Sequence, residues 1–244
     1  AAIRDLAQEG VPSFDGTAGA LSVSDVLADY ATYLLNLVPI EPERALTVVV
    51  DAGNGMAGLT VPAVLNSPHL NVIEMYFDLD GTFPNHEANP IEPTNLVDLQ
   101  AKVLEVGADI GLAFDGDADR CFVVDERGLA VSPSALTALI ADRELAVHPG
   151  STIIHNLITS WSVPEVVREA GGVPVRTRVG HSFIKAEMAT SGAVFGGEHS
   201  GHFYFRDFWR ADSGMLAALH VLSALAQAPS DVTLSTLLSS YDRY

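Results

Sequence analysis

The chain has 244 residues, 48% of them hydrophobic, and a formal net charge of −18. That length and apolar content suit two domains of ordinary size and exclude a largely disordered chain. The acidic balance excludes a nucleic-acid or anionic-membrane surface, either of which would need a basic patch. A phosphate-ester ligand would be repelled unless a metal ion or local arginines reversed the sign; only two lysines, Lys102 and Lys185, are present to help. No apolar run reaches the length of a membrane span, and Ala1-Ala2-Ile3-Arg4-Asp5 does not read as a signal peptide. The single cysteine, Cys121, excludes an internal disulfide framework and a cysteine-rich zinc site, so a reducing, cytoplasmic setting is expected.

Residues 1–20 read as a helix end and a connector, with Gly10, Pro12, Gly16 and Gly19 breaking periodicity. Residues 24–37 predict an amphipathic helix with Val26, Leu27, Tyr30, Leu34 and Leu37 on one side. Strands are expected at 46–51, 71–77, 109–114 and 121–125, with helices from about Ala57 and over 95–106. After the turn Glu126-Arg127-Gly128 the pattern restarts. Helices are expected at 134–147, 162–170, 182–189 and 212–226, and strands at 152–155, 173–177 and 193–197. The simplest reading is two consecutive α/β domains, 23–130 and 131–244, behind a tail and linker at 1–22. Each would be a mixed sheet covered by helices on both faces.

Three motifs compete for function. Gly53-Asn54-Gly55-Met56-Ala57-Gly58 lies between a strand and a helix, where the dinucleotide fingerprint sits. The candidate ribose-binding acid, Glu74, falls inside its strand rather than at its end, which favours a tight structural turn. Asp78-Leu79-Asp80-Gly81-Thr82 has the form of the haloacid-dehalogenase phosphatase loop, with Asp78 as nucleophile. That chemistry needs a suitably placed lysine, and Lys102 is expected inside a helix while Lys185 is in the second unit.

Asp115-Gly116-Asp117-Ala118-Asp119-Arg120 is the strongest signal, because it follows a strand at the end where ligands collect in open α/β sheets. In an extended segment, alternate side chains would converge, bringing three carboxylates onto one cation. Unpaired, they would repel one another; a hard divalent ion such as Mg²⁺ or Ca²⁺ removes the conflict. An EF-hand is rejected, because Arg120 stands where its sharp turn wants glycine. Arg120 places a bidentate phosphate donor beside the cation.

The carboxylate loop resembles the metal loop of the α-D-phosphohexomutases. Four further stretches resemble the same family in the same order: Asp51-Ala52-Gly53-Asn54-Gly55, the run from Asp80-Gly81 to Phe83-Pro84-Asn85-His86, Val179-Gly180-His181-Ser182, and Gly197-Glu198-His199-Ser200-Gly201-His202. The phosphomannomutase/phosphoglucomutase branch fits best. The resemblance implies Mg²⁺ on Asp115, Asp117 and Asp119, and phosphoryl contact by Arg120. It implies a grip on sugar hydroxyls by Glu198 and Ser200, with His181 and His202 on the transfer path and His202 a proton shuttle. The implied substrate is a mannose or glucose phosphate, with hexose 1,6-bisphosphate as activator. A zinc site of Glu198, His199 and His202 lacks an evident third neutral ligand.

No phosphoserine loop of the Ser-His-Asn-Pro kind occurs in these residues, nor an Arg-x-Ser-Gly-Thr element. The resemblance then implies that the chain is the second and third of four domains, inactive without the first and fourth. A binding module that keeps the loops without turnover is the alternative. The metal and sugar loops are expected to face one cleft from opposite sides.

Overall fold

A run such as Leu46-Thr47-Val48-Val49-Val50 has almost no polar face, so it belongs inside a parallel sheet covered on both sides. The computed structural model, which describes residues 2–10, 13–40 and 44–244, places it there. The chain begins with α1 (Ala2–Glu9), which has no buried residue, and continues through an exposed stretch at 13–26. Pro12 lies outside the described residues. Then come α2 (Leu27–Leu37), β1 (Leu46–Asp51), α3 (Ala57–Val64), β2 (Leu70–Met75), a 3₁₀ turn (Pro93–Leu96), α4 (Val97–Val106), β3 (Ile110–Phe114) and β4 (Cys121–Asp125). The second half runs α5 (Pro133–Val147), β5 (Thr152–Asn156), α6 (Ser162–Glu169), β6 (Val173–Thr177), α7 (His181–Ser191), β7 (Phe195–Gly197), β8 (Phe203–Phe205), β9 (Ala211–Asp212), α8 (Gly214–Gln227) and α9 (Leu234–Leu238).

The first sheet has the order β2-β1-β3-β4 and the second β6-β5-β7-β8-β9. Both are mixed. Val48 pairs in parallel with Val72 and Ile110, while Leu112 pairs antiparallel with Val123. In the second sheet β6, β5 and β7 are parallel, β8 is antiparallel to β7, and β9 is antiparallel to β8. Alternation along the strands feeds two faces. Val48 and Val50 join the main core with Leu34 and Val61, whereas Val49 packs with Leu99 and Val103 of α4. Likewise Ile153 and Phe195 face α5 and α8, while Ile154 meets Ile184 and Met188 of α7. Two α/β domains with helices on both faces of each sheet are thus the architecture, as expected from the sequence. The main core runs through both, from Ala31 to Leu238.

Several element ends differ from the sequence expectation, for local reasons. α2 starts at Leu27, with the Asp25 carboxylate accepting from its backbone N–H at 3.0 Å, so Val26 stays exposed. β2 stops at Met75 because Tyr76 takes a left-handed φ of 57°. The last long helix starts two residues late. Ser213 caps it by accepting from Leu216 N at 3.1 Å, and Asp212 belongs to β9.

Candidate functional site

Both signature loops lie at the C-terminal ends of their strands. Residues 115–120 follow β3, and residues 198–202 join β7 to β8. The carboxylate loop is not extended. Ala118 N donates to Asp115 O at 3.1 Å and Ala118 adopts a φ of 62°, so a tight turn gathers the three acids, not alternation along a strand. Carboxylate oxygens of Asp115, Asp117 and Asp119 nevertheless lie within 4.8 Å of one another.

The three acids sit in unlike surroundings. Asp115 is buried and accepts from Arg120 twice, from Nε at 2.6 Å and from the backbone N–H at 3.0 Å. Burial still raises its pKa from 3.8 to about 6. Asp117 is exposed. The His202 imidazole holds the Asp119 carboxyl below its usual range, with Nε2 3.5 Å from Oδ1. That approach is not aligned as a hydrogen bond, so Oδ1 is buried without a hydrogen-bond partner among the described residues. An oxygen-only donor set containing such an orphaned atom fits a hard cation.

Arg120 is more committed than its position suggested. Besides Asp115, its Nη1 donates to Asn89 Oδ1 at 2.9 Å. The other signature turns brace this loop. Met56 N donates to Gly116 O at 2.9 Å, and a Cβ on Gly55 would strike the Gly116 backbone at 2.6 Å. The fingerprint-like glycines are therefore there for close approach between loops. Asp51 accepts from Gly53 N at 2.8 Å and sits 2.9 Å from His86 Nε2, while Asn54 Nδ2 donates to the carbonyl of Asp78 at 2.8 Å. Asp78 itself is exposed, and both lysines are engaged elsewhere, Lys102 by Glu105 and Lys185 by Asp212. The dehalogenase-like chemistry has no lysine here. Glu126, just beyond β4, accepts from Ser235 N at 3.1 Å.

In the second loop Glu198 is buried, with its carboxylate held by three donors. Asn156 Nδ2 and Gly180 N reach Oε1, each at 3.1 Å, and the Tyr204 hydroxyl reaches Oε2 at 2.8 Å. Ser200 Oγ lies 2.9 Å from His202 Nδ1. His181 opens α7, its ring centroid 4.3 Å from that of His202 in an edge-on contact. Its Nδ1 is 2.9 Å from Asp212 Oδ2, and Lys185, one turn along α7, places Nζ 3.0 Å from Asp212 Oδ1. His199 is exposed and joins no such cluster among the described residues; the ligand-rich group there is His181, His202 and Asp212.

The loops do not face each other across an open cleft. Cys121 N donates to Gly201 O at 3.2 Å, Arg120 and His202 form a β-bridge, and Gly214 N donates to Ala118 O at 3.2 Å. One seam joins the two domains and puts the carboxylates beside the histidines. The sequence reading missed Asn89, Asn156, Tyr204 and Asp212. Asn89, Asn156 and Asp212 enter through contacts distant in sequence, Tyr204 through a hydrogen bond to Glu198 across the short β7–β8 turn, and Asp212 looked like a helix start. Lys185 could be noticed only for the rarity of lysine.

Fold and loops together define the class: tandem α/β domains of the phosphohexomutase type. Residues 28–128 match the phosphoglucomutase/phosphomannomutase alpha/beta/alpha domain II, and residues 132–244 match domain III. The chain belongs to the phosphoglucomutase/phosphomannomutase family. It is 40% identical over 227 residues to a phosphomannomutase of Salmonella montevideo, covering 90% of this chain and 50% of that protein. It is 44% identical over 189 residues to a phosphomannomutase/phosphoglucomutase of Pseudomonas syringae pv. tomato, covering 77% and 41%. A crystal structure of a phosphoglucomutase/phosphomannomutase family protein from Burkholderia thailandensis matches with a TM-score of 0.83 at 36% identity, over 90% of this chain and 47% of that one. An N-acetylphosphoglucosamine mutase of Aspergillus fumigatus, crystallised with GlcNAc-6P and magnesium, shares the fold with a TM-score of 0.61 at 15% identity, over 88% and 52%. The chain spans about half the length of the curated relatives it matches.

Proposed function

We propose that this chain is the metal- and sugar-binding middle of a phosphohexomutase, an isomerase that interconverts hexose 1-phosphate and hexose 6-phosphate of mannose or glucose. The observation that carries the reading is the seam through Cys121, Gly201, Arg120 and His202, which sets the carboxylate loop against the Glu198–His202 loop, so that one small ligand would contact both. Asp115, Asp117 and Asp119 would hold Mg²⁺, and a bound ion would offset charge on a transferring phosphoryl group.

The chain's own residues supply the rest. Arg120, fixed by Asp115 and Asn89 through Nε and Nη1, has Nη2 left to meet a phosphoryl oxygen. Ser200 and Glu198 would bond sugar hydroxyls, a grip that serves a substrate bound in either of two opposite orientations. Among the described residues Oε2 of Glu198 accepts from Tyr204 alone, which leaves it capacity for a hydroxyl donor. His202, oriented by Ser200, would move a proton beside the acids. Its neighbour His181 would contact substrate and the transfer path. The phosphoryl donor would be a phosphoserine outside these 244 residues. It would give its phosphoryl group to the hexose phosphate, and the resulting 1,6-bisphosphate would turn over and return the other group. Added hexose 1,6-bisphosphate would then act as activator. A cytoplasmic setting accords with the reduced, buried Cys121.

The test is a coupled mutase assay on the isolated chain with Mg²⁺ and hexose 1,6-bisphosphate, beside NMR of the histidine side chains with glucose 1-phosphate or mannose 1-phosphate. No turnover is expected, and the sugar phosphate should move the His181 and His202 signals. Clear turnover would overturn the reading and bring back an aspartyl nucleophile such as Asp78. Unmoved histidines would remove the sugar-binding assignment.

A further inference from the structure

The carboxylate loop is not the only place where ligand atoms gather. His181, His202 and Asp212, from the start of α7, the turn before β8 and strand β9, also bring one ligand atom each within 4.8 Å of the others. We propose that these three residues form a second metal site, one selective for Zn²⁺ and related borderline ions over Mg²⁺.

The donor set argues for it. Two imidazoles and a carboxylate suit Zn²⁺ or Co²⁺, whereas three carboxylates suit a hard ion. In a tetrahedral zinc site with bonds near 2.1 Å, neighbouring ligand atoms stand roughly 3.3 Å apart. His181 Nδ1 and Asp212 Oδ2 are 2.9 Å apart, so a modest side-chain rotation opens the site to that spacing. Asp212 supplies an independent sign. Its side chain is only 8% exposed, yet Oδ2 has no aligned hydrogen bond among the described residues despite the nearby imidazole. A buried carboxylate oxygen without a partner is costly, and a coordinated cation satisfies it.

The surroundings are those of a metal centre. Ser200 Oγ against His202 Nδ1 makes Nε2 the ring's ligating atom, and an ion there would displace its 3.5 Å approach to Asp119 Oδ1. Lys185, at 3.0 Å from Asp212 Oδ1, holds that carboxylate so that Oδ2 faces the histidines, and its charge sets a ceiling on affinity. His181 is about half exposed, which gives an ion a way in and leaves a coordination position open. An ion bound there occupies both imidazoles. On the mutase reading given above it would act as an inhibitor, but the site itself does not depend on that reading.

Co²⁺ is the probe, because a tetrahedral site with nitrogen ligands gives it an intense visible absorption that an octahedral all-oxygen site does not. The chain titrated with Co²⁺ in a large excess of Mg²⁺ should develop this band with one ion per chain, and Zn²⁺ should abolish it. His181→Gln, at a half-exposed position, and Asp212→Asn should each weaken binding at least about tenfold, with circular dichroism confirming the fold. Asp117→Asn should leave the band unchanged. Absence of the band, its displacement by Mg²⁺, or unaltered affinity in a folded His181→Gln would overturn the proposal.

Discussion

Asp115, Asp117 and Asp119 share a loop but should respond differently to perturbation. Burial raises the Asp115 pKa to about 6, above its unfolded value of 3.8. The folded chain therefore binds this proton more tightly than the unfolded chain does. Its charge costs stability above about pH 6, and the cost fades as pH falls toward 4. The same proton competes with a cation. Mg²⁺ affinity should be level near neutrality and fall roughly tenfold per pH unit below about 6. Calorimetric titration across that range checks it, and equal affinity at pH 7 and pH 5 would contradict it. Asp119 is shifted the other way, so one proton and not two should compete. Asp117 is exposed and makes no side-chain hydrogen bond among the described residues. Asp117→Asn should therefore abolish most Mg²⁺ binding with no change in Tm, whereas unchanged binding would place the ion elsewhere. Glu198 is the reverse case. Glu198→Ala strands three donors, from Asn156, Gly180 and Tyr204. It should cost about 2–4 kcal/mol of stability, visible as a lowered Tm. Glu198→Gln keeps the acceptor at Oε1 and is the variant with which to test sugar binding.

α7 is the element on which the site turns. It begins at His181, immediately after Gly180, whose φ of 122° and ψ of 139° are closed to residues with a Cβ. The same Gly180 donates its N–H to Glu198. Gly180→Ala should cost about 1–3 kcal/mol and shift His181 away from Asp212. Thermal melting together with the His181 NMR signals would show this, and a variant with native Tm and native signals would refute it. The Val179-Gly180-His181-Ser182 pattern was visible as a turn into a helix, and so were the main strands, because alternating or continuous branched residues leave few other options. β8 was invisible for the opposite reason. Phe203-Tyr204-Phe205 is only three residues long and buried on both faces, so it shows no alternation to read. β9 has two residues, and Asp212 within it could pass for a helix cap. The convergence of the three aspartates was legible, but its cause was not, since Ala118 gives no hint of a left-handed conformation. The seam between the loops could not be foreseen at all, because it pairs Arg120 and Cys121 with residues about 80 positions later through backbone atoms that carry no sequence signature.

At the scale of the whole molecule, the two domains share apolar packing as well as the site. The main core includes Leu34 and Val48 of the first and Leu139, Leu219 and Leu225 of the second. Arg44 crosses between them, donating to the carbonyls of Leu225 at 3.3 Å, Ser230 at 2.9 Å and Val232 at 2.8 Å. A single cooperative thermal transition is expected, and two separate ones would show that the shared core contributes little. Arg44→Ala should lower Tm by roughly 4–8 °C, from the loss of about 2 kcal/mol. On the proposed reading such coupling would matter for function, because the carboxylates and the histidines lie on opposite sides of the domain boundary.

The most direct measurement uses a chimera in which this chain replaces the 227-residue segment that it matches in the Salmonella montevideo phosphomannomutase. Its hexose-phosphate mutase activity should be present and Mg²⁺-dependent in a coupled assay. Asp117→Asn should lower chiefly kcat, while Ser200→Ala should raise chiefly KM. A well-folded chimera with no turnover, or one whose turnover ignores both substitutions, would contradict the assignment of metal and sugar binding to these loops.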